Sequence, residues 1–129
     1  MKQNVLLTIA SLLSILLSTF HLSDDIVRGM EKGGASNLIA IPILVVWLYG
    51  TLALGERRSG HIIMLLGSIG ALGVLVLHMR GSGLVGRRIV NTSGVFFWVW
   101  TLIALGVIGT FSAILSAQGL WRLRRGQAR

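Results

Sequence analysis

The chain has 129 residues, of which 53% are apolar and only 12% are charged, and its mean hydropathy is +0.80. This composition excludes an ordinary soluble domain, because too few polar side chains are present to cover its surface. The absence of cysteine excludes disulfides, thiolate metal sites and thiol redox chemistry. The net charge of +8 would suggest nucleic acid in a soluble protein. Here the basic residues flank apolar stretches, so we predict anionic lipid headgroups as their partners and no nucleic acid.

Four long stretches carry no charged side chain and are rich in Leu, Ile and Val. They run from Gln3 to Ser23, from Gly33 to Gly55, from Ser59 to Met79 and from Ile89 to Trp121. Each is about as long as the ~20 residues that a helix needs to cross a bilayer. The sequence therefore predicts an all-α integral membrane protein. It would be a single domain over residues 1–129, with four transmembrane helices in one bundle at approximately 4–23, 37–55, 60–79 and 94–118.

The orientation of the bundle follows from its basic residues. Lys2 and the apolar run after it resemble the start of a secretory signal, but no small-x-small cleavage site follows, so we expect an uncleaved first span. An inside N-terminus places seven basic residues on the cytoplasmic side against five outside: Lys2, Arg57, Arg58, Arg122, Arg124, Arg125 and Arg129 against Arg28, Lys32, Arg80, Arg87 and Arg88. Because this bias sets orientation, we predict cytoplasmic termini in a bacterial cytoplasmic (inner) membrane.

Polar side chains recur along the first predicted span at steps of three and four residues. They are Ser11, Ser14, Ser18, His21 and Asp25. This spacing places them on one face of a helix. Small hydroxyl side chains let helices approach closely inside a membrane, so the stripe is predicted to face protein, with the three serines in helix packing.

Small residues also mark the third and fourth spans. Gly67 and Ala71 form a small-xxx-small pair, and Gly106 and Gly109 begin a second stripe, so all four are predicted to lie where helices pack. Aromatic residues cluster at the two ends of the fourth span: Phe96, Phe97, Trp98, Trp100 and Trp121. This distribution predicts an aromatic belt at the membrane interfaces.

The candidate site combines the outer ends of the first and third spans. His21, Asp24 and Asp25 end the first span, and His78 ends the third, which also runs outward. Equal spacing along the two spans, from Asn4 to His21 and from His61 to His78, predicts a similar depth for the imidazoles. If the two spans are neighbours, these four side chains converge in a site for a divalent metal or for proton transfer.

Two alternatives compete with a metal or proton site. Arg28 lies one helical turn beyond Asp24 and Asp25 and would neutralise either carboxylate, which would make the cluster a solvated helix end with an ion pair. A haem held by His21 and His78 would need the two rings on facing helices with an open plane between them.

Residues and motifs that are missing from the sequence argue against several classes of function. Small four-span multidrug exporters resemble the chain in length and topology, but they depend on an acidic residue embedded in the first span, and the first predicted span has none. No cysteine nucleophile and no H-E-x-x-H metal signature is present. We therefore expect a non-enzymatic accessory or self-associating membrane component, with a homo-oligomer or a membrane protein as partner and without a cofactor. The alternative is a metal- or proton-handling transporter or enzyme that uses the outward-facing His/Asp cluster.

Overall fold

The computed structural model describes residues 2–81, 83–86 and 89–126, with no account of the Lys2 side chain. Its elements are α1 (Lys2–Val27), a 3-10 helix (Ala35–Ile39), α2 (Ala40–Leu52), α3 (Arg58–Arg80) and α4 (Val95–Arg124), and these described ranges contain no strand. Within this part of the chain, four helical segments are long and apolar enough to cross a membrane, the second being the 3-10 helix together with α2. The prediction of an all-helical chain with four such segments is confirmed.

The helix boundaries depart from the predicted spans by three residues or more at four places, one of which is the end of α2 at Leu52 instead of 55. α1 continues to Val27 and ends before Gly29, whose φ of 67° is the left-handed conformation typical of a helix C-terminus. α2 begins only at Ala40, so Pro42 lies in its first turn, where a missing N–H breaks no helical hydrogen bond. α4 runs on to Arg124, beyond the predicted end at 118.

α4 is the centre of the bundle. It packs most extensively against α3 and then against α1, whereas α2 lies at the side of the bundle against α3. A Cβ atom on Gly109 would lie 3.3 Å from Ala71 Cβ, and one on Gly106 would lie 2.6 Å from Leu75 Cδ2. The absence of side chains at these two glycines therefore allows α3 and α4 to approach closely.

Gly67 serves a different contact from Ala71, although the two are one helical turn apart on α3. Its open face receives the indole ring of Trp47 from α2. The Trp47 Nε1–H donates a 2.9 Å hydrogen bond to Ser11 Oγ on α1, and Ser11 Oγ lies 2.7 Å from Thr51 Oγ1. This buried chain of hydrogen bonds links α2 to α1 across the surface of α3.

The distribution of polarity is reversed relative to a soluble protein. Seven hydroxyl side chains inside the bundle are no more than 2% exposed: Ser11, Ser14, Thr51, Ser68, Thr101, Ser112 and Ser116. Large aliphatic and aromatic side chains instead cover the outside, as at Val27 (85% exposed) and Leu66 (63% exposed). Such an exterior suits hydrocarbon, and small polar residues at helix contacts suit a bundle in lipid.

The aromatic belt predicted for the start of α4 is wrong for Trp98. Phe96 and Trp100 are 78% and 57% exposed, but Trp98 is completely buried. The reason is the helical period: Trp98 lies two turns before Gly106 on the same inward face of α4, so it points toward α1 and α3.

Candidate metal centre

Three of the predicted site residues meet near one end of the bundle. His21 and Asp25 are one turn apart on α1, and His78 lies in the last turns of α3. His21 and Asp25 are 1% and 5% exposed, and the His78 side chain is 16% exposed. The first span was predicted to end at 23 with no embedded acid; α1 continues past this point to Val27, and the Asp25 carboxylate is buried in the bundle.

The ligand atoms of these three residues, the triad, converge. His78 Nε2 lies 3.1 Å from His21 Nε2 and 3.1 Å from Asp25 Oδ2, and the last two atoms are 3.7 Å apart. A point equidistant from all three lies about 1.9 Å from each in their common plane. An ion displaced slightly from this plane would reach the zinc–nitrogen and zinc–oxygen bond lengths of about 2.0–2.2 Å. The triad therefore has the dimensions of a three-ligand metal site.

Thr101 on α4 fixes the orientation of the His21 ring. Its hydroxyl donates to the Trp98 carbonyl oxygen at 3.1 Å, so its oxygen lone pair faces His21 Nδ1, also at 3.1 Å. This pattern places the proton of neutral His21 on Nδ1 and leaves the Nε2 lone pair directed at the centre of the triad. A hydrogen bond donated by the other ring N–H is the usual support of a metal-ligating histidine.

Trp98 supports the carboxylate in the same way. Its indole Nε1–H donates a 2.9 Å hydrogen bond to Asp25 Oδ1, which leaves Oδ2 as the oxygen that faces both imidazoles. The indole ring also packs against both histidines, with ring centroids 5.4 Å from His21 and 5.1 Å from His78. α4 thus positions the ligands of α1 without supplying one itself.

Asp24 does not join the triad. It forms an ion pair with Arg28, with 2.7 Å between Asp24 Oδ2 and Arg28 Nε. The same guanidinium donates to Thr92 Oγ1 at 2.7 Å and to the Ser93 carbonyl oxygen at 3.1 Å, just before α4 begins. The two adjacent carboxylates therefore differ: Asp24 pairs with Arg28 at the end of the helix, and Asp25 points into the bundle.

The geometry does not fit a haem between the two histidines. Two axial imidazole nitrogens would lie on opposite sides of the iron with the porphyrin plane between them. His21 Nε2 and His78 Nε2 are only 3.1 Å apart, and the rings meet edge to face with centroids separated by 4.9 Å. No macrocycle fits into this gap.

The triad borders a cavity of about 650 Å³. Besides the triad, its lining includes Ser18, Leu22, Glu31, Val74 and Leu77. This volume is within the range of about 300–1,000 Å³ that is common for small-molecule sites. A metal held by the triad would therefore have room beside it for a further ligand.

Sequence reasoning did not identify Trp98 and Thr101 as parts of the site. A signal was present, because extending the stripe of Gly106 by two turns toward the start of α4 arrives at Trp98, and Thr101 follows on the same face. The abundance of aromatic residues around Trp98 favoured an interfacial interpretation instead.

No protein-family model, curated protein or solved structure matches this chain. The fold and the site define its class only as an apolar helical bundle with a buried His/His/Asp triad. A function for the chain therefore rests on the chemistry of that triad and of its surroundings.

Proposed function

We propose that the protein is an integral membrane protein that binds a divalent transition metal, with Zn²⁺ as the leading candidate, through His21, Asp25 and His78. The observation that carries this proposal is the convergence of two imidazole nitrogens and one carboxylate oxygen within 3.1–3.7 Å of one another. The hydrogen bonds of His21 to Thr101 and of Trp98 to Asp25 add support, because they hold His21 Nε2 and Asp25 Oδ2 ready to bind an ion.

The donor set favours a borderline transition metal over Ca²⁺ or Mg²⁺. Calcium and magnesium prefer six or more oxygen ligands, whereas imidazole suits zinc, iron, copper and nickel. Three protein ligands leave at least one coordination position open, as in catalytic or transport sites rather than closed structural ones. The site would therefore carry an exchangeable ligand.

Two features support placement in a membrane. The apolar exterior and the four long helical segments suit a bilayer, and the basic residues near the end of α4 suit an anionic cytoplasmic surface. With both termini cytoplasmic in a bacterial inner membrane, the triad would lie near the outer face. Zinc would then be exchanged with the external medium.

Topology is tested by reporter fusions at the two loops that would lie outside. Fusions after Gly33 and after Gly86 should both give the signal of an external reporter, and a fusion after the C-terminal arginines should give a cytoplasmic one. A cytoplasmic signal after either glycine would overturn the placement of that loop.

Metal binding is tested on the purified protein in detergent. We expect about one zinc ion per chain after dialysis against a weak chelator. At a free zinc concentration of 100 times the dissociation constant, binding stabilises the folded state by about 2.7 kcal/mol, which should raise the melting temperature by about 10 °C. Chelation with EDTA should reverse the shift. No bound metal and no thermal shift would contradict the proposal.

Proton transfer is a second candidate, favoured by one specific distance pattern. His78 Nε2 is equally close, at 3.1 Å, to an imidazole nitrogen and to a carboxylate oxygen. A proton on this nitrogen would therefore be shared between two acceptors, as in a relay. The zinc titration separates the two candidates, since a relay needs no metal.

A further inference from the structure

We infer that the triad receives the head of a long-chain carboxylate from the bilayer, while the hydrocarbon tail lies in a cleft between α1, α2 and α3. This inference rests on the proposed metal site, because the metal would supply the ligand position for the head. It adds the chemical class of the molecule that the site would take.

The cleft is a large apolar cavity beside the triad. Its volume is about 660 Å³, and its walls come from the outer half of α1, the first turns of α2 and the middle of α3. It exists because α1 and α3 make little direct contact, and because Gly70 offers no side chain to fill the space. A Cβ atom on Gly70 would meet no atom within 4 Å.

The cleft adjoins the cavity of the triad. Ser18, Leu22 and Val74 line both. Of the two adjoining spaces, one is lined by two imidazoles and by the carboxylates of Asp25 and Glu31, and the other is almost entirely hydrocarbon. This polarity matches a single-chain amphiphile rather than a small polar solute or a purely apolar molecule.

Access from the membrane supports a lipid as the occupant. Ile39, Ile43 and Leu66 line the cleft and are 67%, 59% and 63% exposed on the outside of the bundle. In a bilayer these positions would face acyl chains, so a tail can enter sideways without crossing water. The molecules available at that depth are themselves amphiphiles.

The net charge at the metal site favours an anionic head group on the lipid. A divalent ion with Asp25 as its one carboxylate ligand keeps a net charge of +1, because the two imidazoles are neutral and Glu31, the other carboxylate that lines the cavity, is not among the three ligands. An anionic oxygen on the open coordination position compensates this charge. A carboxylate head on one long chain is the simplest amphiphile with this property.

The experiment uses a fatty acid with a photoreactive diazirine near the end of its tail, added to the full chain in nanodiscs. After irradiation, mass spectrometry should locate the label on peptides of α2 and of the middle of α3. Zinc should raise the yield at least fivefold, and the Asp25→Asn variant should lose this zinc dependence. Gly70→Phe fills the cleft without a clash at Cβ and should lower the yield at least tenfold.

Gly73→Phe is the matched control, because Gly73 is on the same helix, also has open space at its Cβ and does not line the cleft. Its yield should stay within twofold of the natural chain. If zinc binds but the labelling yield of Gly70→Phe equals that of Gly73→Phe, the lipid inference is wrong and the metal site stands. If no zinc binds, the proposed function fails, and the inference fails with it even where the tail is labelled.

Discussion

Replacing Asp25 by asparagine is expected to lower the zinc affinity of the protein by more than about 100-fold, since changes to residues that only support a ligand already cost 10–100-fold. The amide keeps the size of the side chain and still offers an oxygen to the Trp98 indole. It removes the negative charge and the Oδ2 ligand that lies 3.1 Å from His78 Nε2. Isothermal titration with Zn²⁺ in detergent measures the change directly.

Asp24→Asn is the matched control for this experiment. Asp24 is the adjacent residue on the same helix, but its carboxylate pairs with Arg28 and lies outside the triad. Its replacement should change zinc affinity less than threefold. The zinc affinity of Trp98→Phe should lie between those of the two variants, because this change removes the donor to Asp25 Oδ1 and leaves all three ligands in place. Equal zinc affinity of the Asp24 and Asp25 variants would contradict the assignment of Asp25 as a ligand.

The second large effect is expected at Gly67. A leucine there would collide with the Trp47 ring and push it away from Ser11 Oγ, its hydrogen-bond acceptor. Overpacking costs about 1–3 kcal/mol, and the loss of a buried hydrogen bond adds to it. We expect a loss of about 3 kcal/mol in the free energy of unfolding and a fall of about 10 °C in melting temperature.

Two comparisons make the Gly67 experiment specific. Gly70→Leu on the same helix meets open space and should change the melting temperature by less than about 3 °C. In a Trp47→Ala background the leucine at Gly67 has room, so the further loss should fall below about 1 kcal/mol. If Gly67→Leu melts like Gly70→Leu, the described contact between α2 and α3 is wrong.

The helical fold could be predicted from the sequence because its causes are local. Charged side chains are excluded from hydrocarbon, so their absence over about 20 residues marks each span without any knowledge of tertiary contacts. The meeting of His21 with His78 was also within reach, because helical rise converts equal residue spacing into equal depth. That argument still needed α1 and α3 to be close at their outer ends, which residue spacing does not determine.

Both Asp24 and Asp25 lie within reach of Arg28, but only Asp25 shares the polar stripe of His21 and the serines that was predicted to face protein. The rotation of α1 against α4 turns this face, and with it the Asp25 carboxylate, into the bundle. That rotation depends on the packing of Trp98 and of the small residues after it on α4. The end of α1 was misplaced for a related reason: buried partners from α4 stabilise an acidic residue that would otherwise mark the end of a span.

Arg28 joins the segment before α4 to the helix that carries two of the three ligands. Arg28 also bonds Asp24, the neighbour of Asp25. A displacement of Thr92 and Ser93 that disturbs Arg28 would therefore disturb the helical turn that holds Asp25. Thermodynamic linkage makes such an effect mutual. If a macromolecule that binds this segment lowers the affinity of the triad for an ion, the ion lowers the affinity of the segment for that macromolecule by the same factor. Binding of the proposed ion inside the bundle would thereby change the binding of a partner to the segment before α4.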